Sequence, residues 1–295
     1  MTNSLNLAGK KIFISGGSRG IGFDFAKTLL LSGASVAYCG RDKGQLTASH
    51  RELEQFIIPN NNQKLFSYMT DISNKSEVEK LKDLVNNDIG PIDVLISNAA
   101  VIGPLGSFLD NDLDFWESTL KINLMGSIFL IHNFLPILIN NGGGKIIQIS
   151  GGGATAPLPN VSSYAASKTA IVRFIESLAL EYKDLKVDIN AVAPGVQKTR
   201  INQEMIEAGP DVIGKELYSA AVTKSLSEDD SIHKACDLIK FLASEKSNGI
   251  TGKLISAEWD NWSEWPNHIP ELQGSKLYTL RRIVARDLGY TWGDI

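Results

Sequence analysis

Residues 11–33 read KIFISGGSRGIGFDFAKTLLLSG, and this stretch decides the fold. KIFIS is a short run of β-branched and aromatic residues, the composition of a strand buried on both faces. FDFAKTLLLSG repeats its apolar positions at three- and four-residue spacing and stops on Gly33, as an amphipathic helix does. Between them lies SGGSRGIG, residues 15–22. Its glycines at 16, 20 and 22 permit a tight turn, a close approach of backbone amides to a pyrophosphate, and close packing of helix on strand. The positive end of the following helix favours an anion at that turn. Strand, glycine turn and helix in this order predict the first βα unit of a dinucleotide-binding fold.

Working outward, six more runs of the same kind follow, at residues 34–39, 64–68, 93–97, 145–150, 187–193 and 252–256, with amphipathic stretches between them. That alternation predicts an α/β fold: a single Rossmann-type, doubly wound domain with a seven-stranded parallel sheet. No repeat or long linker interrupts it. Residues 1–256 are therefore expected to form one NAD(P)-binding catalytic domain, and residues 257–295 a C-terminal extension that packs on the domain or on a neighbouring subunit.

Composition narrows the function classes. The chain has 295 residues, 43% of them hydrophobic, which is enough for a sizeable core. A net charge of −4 gives no basic surface for nucleic acid or anionic lipid, so neither partner is expected. Cys39 and Cys236 belong to no CxxC or Cys/His cluster, which argues against a disulfide framework and a metal site. The N-terminal MTNSLNLAGKK lacks the apolar run of a signal peptide. The apolar stretch 124–139, broken by His132, Asn133 and Pro136, reads as a buried helix too short to span a membrane. A cytoplasmic location is expected.

Two patterns carry chemistry. Tyr164 and Lys168 stand four apart in the helical stretch YAASK, so both side chains emerge on one face, where an ammonium can tune a phenol. A free phenol has a pKa of about 10 and is a poor base at neutral pH, so a nearby cation is expected to lower it. The second strand ends in YCGRD, where an acidic residue would bind the 2′-hydroxyl of NAD. Here Gly40 is followed by Arg41, which suits a 2′-phosphate, and Arg19 in the glycine loop adds a second cation. NADP(H) is favoured. NAD(H) is the alternative, with Arg41 solvated and Asp42 taking the hydroxyl.

With these residues in place, the chain resembles the short-chain dehydrogenase/reductase family over roughly residues 8–256. Six motifs fall in order: SGGSRGIG with Ser15 in the family's threonine place, Asp71 in TDIS, SNAA at 97–100, Asn123 in KINLMG, Tyr164 and Lys168 in YAASK, and APG at 193–195 followed by Thr199. The resemblance implies hydride transfer between nicotinamide and a carbonyl or secondary alcohol, with Tyr164 as proton donor or acceptor. Lys168 would tune Tyr164 and hold the nicotinamide ribose, and Asn123 would position a proton-relaying water. It places the cofactor on Gly16, Ser18, Arg19, Gly20, Ile21, Gly22, Arg41, Asp71, Ile72, Asn98, Ala99, Tyr164, Lys168, Pro194, Gly195 and Thr199. It also implies a homodimer or homotetramer.

The chain departs from the family at the serine, which in most members precedes the tyrosine by thirteen residues; that position here is Gly151, and Ser150 is fourteen away. Three substitutes compete: Ser150 shifted into place by the flexible glycines, the amides of residues 151–153, or another hydroxyl such as Thr155 or Ser163. Ser150 is favoured and completes the catalytic set Tyr164, Lys168, Asn123 and Ser150. A bare glycine also keeps open a conjugated enoyl reductase and a non-catalytic NAD(P)-binding sensor, and a ketoacyl-thioester reductase is a further alternative. Residues 199–223 fall where the family places a substrate lid, with Gly209, Pro210 and Gly214 as hinges, and Arg200, Gln203, Glu204 and Lys215 point to a polar substrate such as a sugar, polyol or nucleotide-linked sugar. In the extension, Trp259, Trp262 and Trp265 recur every three residues and read first as packing groups, and residues 277–284 read as a short amphipathic helix.

Overall fold

The computed structural model describes residues 5–227 and 231–292; the ends of the expected domain and extension, residues 1–4 and 293–295, lie outside the described residues. Seven strands form the sheet: β1 (Lys11–Ser15), β2 (Ser35–Gly40), β3 (Leu65–Met69), β4 (Val94–Ser97), β5 (Gly144–Ile149), β6 (Val187–Ala193) and β7 (Leu254–Ser256). Their spatial order is β3-β2-β1-β4-β5-β6-β7 and every pairing is parallel. The order reverses between β1 and β4, which opens a crevice at the carboxyl ends of those strands.

The strands read as continuous apolar runs because helices cover both faces. On one face, α1 (Gly20–Leu31) and α10 (Ser231–Ala243) bury Phe25, Leu29, Leu238 and Leu242 against Ile12, Ile14 and Val36. On the other, α3 (Lys75–Asp88) and α6 (Ser162–Glu181), with α5 (Gly126–Asn140), bury Leu81, Phe134, Val172 and Ile175 against Phe13, Leu95 and Ile189. Local chemistry sets the helix starts. Asp42 caps α2 (Lys43–Glu54), Asn74 caps α3, and Asp112 caps α4 (Leu113–Leu120), each accepting from first-turn amides.

A π-helical turn (Lys121–Met125) joins α4 to α5, so Leu113–Asn140 is one continuous helix. It is thus longer than the apolar stretch suggested, and by length and composition alone it could cross a membrane. Just under half of its most apolar window, 44%, is buried inside the protein.

Beyond β6, α7 (Arg200–Ala208), α8 (Pro210–Ile213) and α9 (Lys215–Leu226) form a helical flap, with Gly209 (φ 80°) and Gly214 (φ 85°) at its corners. Both glycines adopt backbone angles that side chains disfavour. After β7 the chain turns back onto the same core, where Trp265 and Leu272 of α11 (Ile269–Gln273) are buried. Residues 277–284 are not helical. Their backbone is bound elsewhere: Tyr278 (φ 56°) accepts a hydrogen bond from the Leu254 amide, and the Leu280 amide donates to Glu176 on α6.

Candidate active site

The carboxyl ends of the strands open into one cleft of about 2280 Å³. Its floor is the glycine turn. Gly16 (φ 71°) lies against Ala99, where an added Cβ would come 2.8 Å from the Ala99 Cα, and a Cβ on Gly22 would strike the Gly16 carbonyl oxygen at 2.2 Å. Helix α1 can therefore approach β1 only because both positions are bare. Unlike α2, α3 and α4, α1 begins with no side-chain cap, and its first residues, Gly20, Ile21 and Gly22, line the cleft. This uncapped, glycine-lined start fits the pyrophosphate of a nicotinamide dinucleotide.

Ser15, at the end of β1, accepts hydrogen bonds from the Asn98 and Ala99 amides at 2.9 and 3.1 Å, while Asn98 Nδ2 donates to the carbonyls of Ser15 and Gly16. These bonds lock β4 to the glycine turn. The sequence marked Ser15 only as a residue in the family's threonine place; its double acceptance depends on β4 lying beside β1. At the adenosine end, Asp42 is committed to capping α2 through Gln45 N at 2.8 Å. Arg41 faces Asp71 at 3.8 Å, and Asp71 also accepts from Ser73. Both partners of the Arg41–Asp71 pair are substantially exposed, so the pair holds Arg41 only weakly. Gly40 leaves room for Ser18, whose hydroxyl would sit 2.8 Å from an added Cβ.

Tyr164 and Lys168, on the first two turns of α6, both face the cleft. Lys168 Nζ donates to the Ile149 carbonyl at 3.0 Å and lies 5.5 Å from the centre of the Tyr164 ring. Burial pushes the Tyr164 phenol up to about 12 and the Lys168 ammonium down to about 8. In the protein alone, burial thus outweighs the lowering of the phenol that the sequence predicts, because the ammonium is aimed at a carbonyl rather than at the phenolic oxygen.

The glycine at the family's serine position is in contact with the tyrosine. A Cβ on Gly151 would come 2.7 Å from Tyr164 Oη. Ser150, the residue after β5, places its amide on Val192 O and lines the cleft, and its hydroxyl is buried and without a hydrogen-bond partner. Thr155 lines the cleft too, with its hydroxyl turned to the Gly152 carbonyl at 3.4 Å. Ser163 is fully buried and does not itself line the cleft, but its unpartnered hydroxyl faces Gly103, which does.

The structure gathers Gly16, Ser18, Arg19, Gly20, Ile21, Gly22, Arg41, Asp71, Ile72, Asn98, Ala99, Ser150, Tyr164, Lys168, Pro194, Gly195 and Thr199 around this one cleft. Asn123 stands one layer behind. On the π-turn, its side chain accepts from Val101 N at 2.9 Å and donates to Val101 O and Ser167 Oγ, the contacts of an anchor between that turn, the loop after β4 and α6. Among the described residues no cluster of His, Cys, Asp and Glu could hold a metal.

The family model for short chain dehydrogenases matches residues 10–209. The chain is 28% identical over 262 residues to 3beta-hydroxysteroid dehydrogenase 2 of Eggerthella lenta, covering 88% of this chain and 96% of that protein. Its fold is similar to a gluconate 5-dehydrogenase from Burkholderia cenocepacia solved with NADP and tartrate (22% identity, TM-score 0.74, 86% of this chain and 95% of that one). It is also similar to an NADPH-bound short chain oxidoreductase from Pseudomonas aeruginosa described as containing an atypical catalytic center (24% identity, TM-score 0.73, 87% and 98%). The matched profile, together with a parallel sheet whose crevice brings the glycine turn to Tyr164 and Lys168, places this chain in the short-chain dehydrogenase/reductase family of oxidoreductases.

Proposed function

We propose that the chain is an NADP(H)-dependent carbonyl reductase, or alcohol dehydrogenase in the reverse direction, acting on a small molecule. The observation that carries this reading is the convergence of Tyr164, Lys168 and Ser150, whose buried hydroxyl has no partner, on the cleft that also contains the uncapped start of α1. The bound cofactor supplies or accepts the hydride at nicotinamide C4. The glycine turn and α1 amides hold the pyrophosphate, and Arg41 with Arg19 holds the 2′-phosphate. That preference is supported by Asp42 being committed to a helix cap. Pro194, Gly195 and Thr199 close over the nicotinamide end, with Thr199 close enough to Gly20 to bridge the cleft.

Tyr164 gives its proton to the carbonyl oxygen in reduction, a role suited to a phenol kept protonated by burial. Ser150 donates to the same oxygen, since its hydroxyl has no other partner. Lys168, held by Ile149, replenishes charge beside the phenol and binds the nicotinamide ribose. The extension belongs to the same folding unit, and exposed Phe108, Leu109 and Leu113 support a homodimer or homotetramer.

The test is transfer of deuterium from C4-labelled NADPH to a panel of keto-sugars, small ketones and ketoacyl thioesters. Label in a product, lost in Tyr164→Phe, is the expected result. Tight NADPH binding without transfer to any panel member would favour a non-catalytic nucleotide-binding protein.

A further inference from the structure

The three tryptophans after β7 have different fates. Trp265 is buried and lies 4.3 Å from the Tyr278 ring, and Trp262 packs on Phe241 at 5.3 Å. Trp259 has no ring partner among the described residues; it is 82% exposed and forms part of the wall of the cleft that contains Tyr164. An indole left open to water forgoes the burial its two neighbours gain. Glu258, next to it, also lines the cleft, with its carboxylate against Gly195, where an added Cβ would lie 2.9 Å from Oε2.

The pair is presented by a fixed turn. Ser256 Oγ accepts from the amides of Glu258 and Trp259 at 3.3 and 3.1 Å, and Asp260 accepts from the Ser256 amide at 2.7 Å. Tyr278, which backs Trp265, is itself fastened to β7 through Leu254 N at 2.8 Å. The flap offers less polar recognition than its composition suggests, since Arg200 pairs with Glu204 and Gln203 with Glu207, each at helical spacing.

We propose that Glu258 and Trp259 form a subsite for a hydroxylated ring, so that the substrate carries a sugar-like or cyclic polyol ring beside the reacting carbon. The C–H face of the ring lies on the Trp259 indole, and a ring hydroxyl donates to Glu258. An apolar ring such as a steroid is disfavoured there because it would strip water from the Glu258 carboxylate and return no hydrogen bond. This subsite deepens the reading of the cleft as a reductase site and rests on it.

The experiment is calorimetric titration of the NADP-loaded full chain with glucose, myo-inositol, cyclohexanone and a steroid ketone. Wild type is expected to bind the two hydroxylated rings more tightly than the other two. Trp259→Ala should weaken the hydroxylated rings roughly tenfold, with Trp259→Phe restoring most of the affinity. Glu258→Leu should weaken the hydroxylated rings and not cyclohexanone, which has no hydroxyl to donate, and NADPH affinity, measured separately, should hold in Trp259→Ala. Tighter binding of cyclohexanone or the steroid, no binding of either polyol, or unchanged affinities in Trp259→Ala would overturn the subsite. So would a Trp259→Ala chain that only changes its assembly state in ultracentrifugation. Because binding is read without turnover, a wild type that binds polyols through Trp259 yet transfers no label from C4-deuterated NADPH would sink the reductase reading and leave the subsite standing.

Discussion

Replacing Gly151 with alanine probes the arrangement of the proton donor directly. The backbone there is extended (φ 179°, ψ 173°), so alanine meets no conformational strain. Space is the obstacle, because the new Cβ would lie 2.7 Å from Tyr164 Oη. Non-bonded heavy atoms settle at about 3.5 Å, so the hydroxyl or the loop must yield by roughly 0.8 Å. The loop has little room to do so, since Gly153 two residues on already lies against Ala165, with an added Cβ 3.0 Å from its Cα. A misplacement of about 1 Å at a reacting group costs on the order of a hundredfold in rate. Gly151→Ala is therefore expected to lower kcat/KM by roughly 30- to 100-fold, or about 2–3 kcal/mol of transition-state stabilisation. NADPH affinity, read by fluorescence titration, should not change. Gly151→Ser carries the same Cβ but adds a hydroxyl in the family's usual register, so its activity should fall between the alanine variant and wild type. The assay is steady-state reduction of the best substrate from the label-transfer panel. An alanine variant at the wild-type rate, or a serine variant faster than wild type, would refute the reasoning and show that the working tyrosine does not rest against this loop.

Three further outcomes are expected. Arg41→Ala should weaken NADPH by about tenfold and NADH little, as loss of a charge-assisted contact at an exposed position implies; equal losses in the two titrations would place the 2′-phosphate elsewhere. Lys168 falls from 10.5 to about 8 on burial, so between those values the unfolded chain holds a proton that the folded one does not, and wild-type stability gains with rising pH across that window. Lys168→Met should accordingly be inactive yet more stable at pH 7, by at most about 3 kcal/mol, with the advantage shrinking toward pH 9.5 in thermal unfolding; a variant less stable at both pH values would mean that the Ile149 bond offsets the burial. Alcohol oxidation needs the phenolate, and with Tyr164 pushed up to about 12 its rate should climb with pH to the limit of stability, whereas a plateau near pH 7 would show that bound cofactor brings the phenol down by several units.

How much of this was legible in the chain depends on where the partner of each group lies. The seven strands could be found within a residue or two because a parallel strand covered on both faces leaves an uninterrupted apolar run, and the Tyr164–Lys168 pair could be found because four residues is one helical turn. The π-turn at Lys121–Met125 was hidden, since an extra residue in a turn breaks the period without changing the composition. Residues 277–284 carry an amphipathic pattern, yet their backbone is bound to Leu254 and to Glu176, 104 residues from Leu280, and no local period can report that. The serine register shows the same limit most sharply. Counting back from Tyr164 finds a missing side chain at Gly151, but the structure shows that the space is taken, because Tyr164 Oη stands where a Cβ would need room. The unpartnered Ser150 hydroxyl is one residue upstream, just past the end of β5. Glycine at 151 is then a steric condition for the position of the tyrosine rather than a lost donor, and a serine restored at 151 would have to displace the proton donor it was meant to assist.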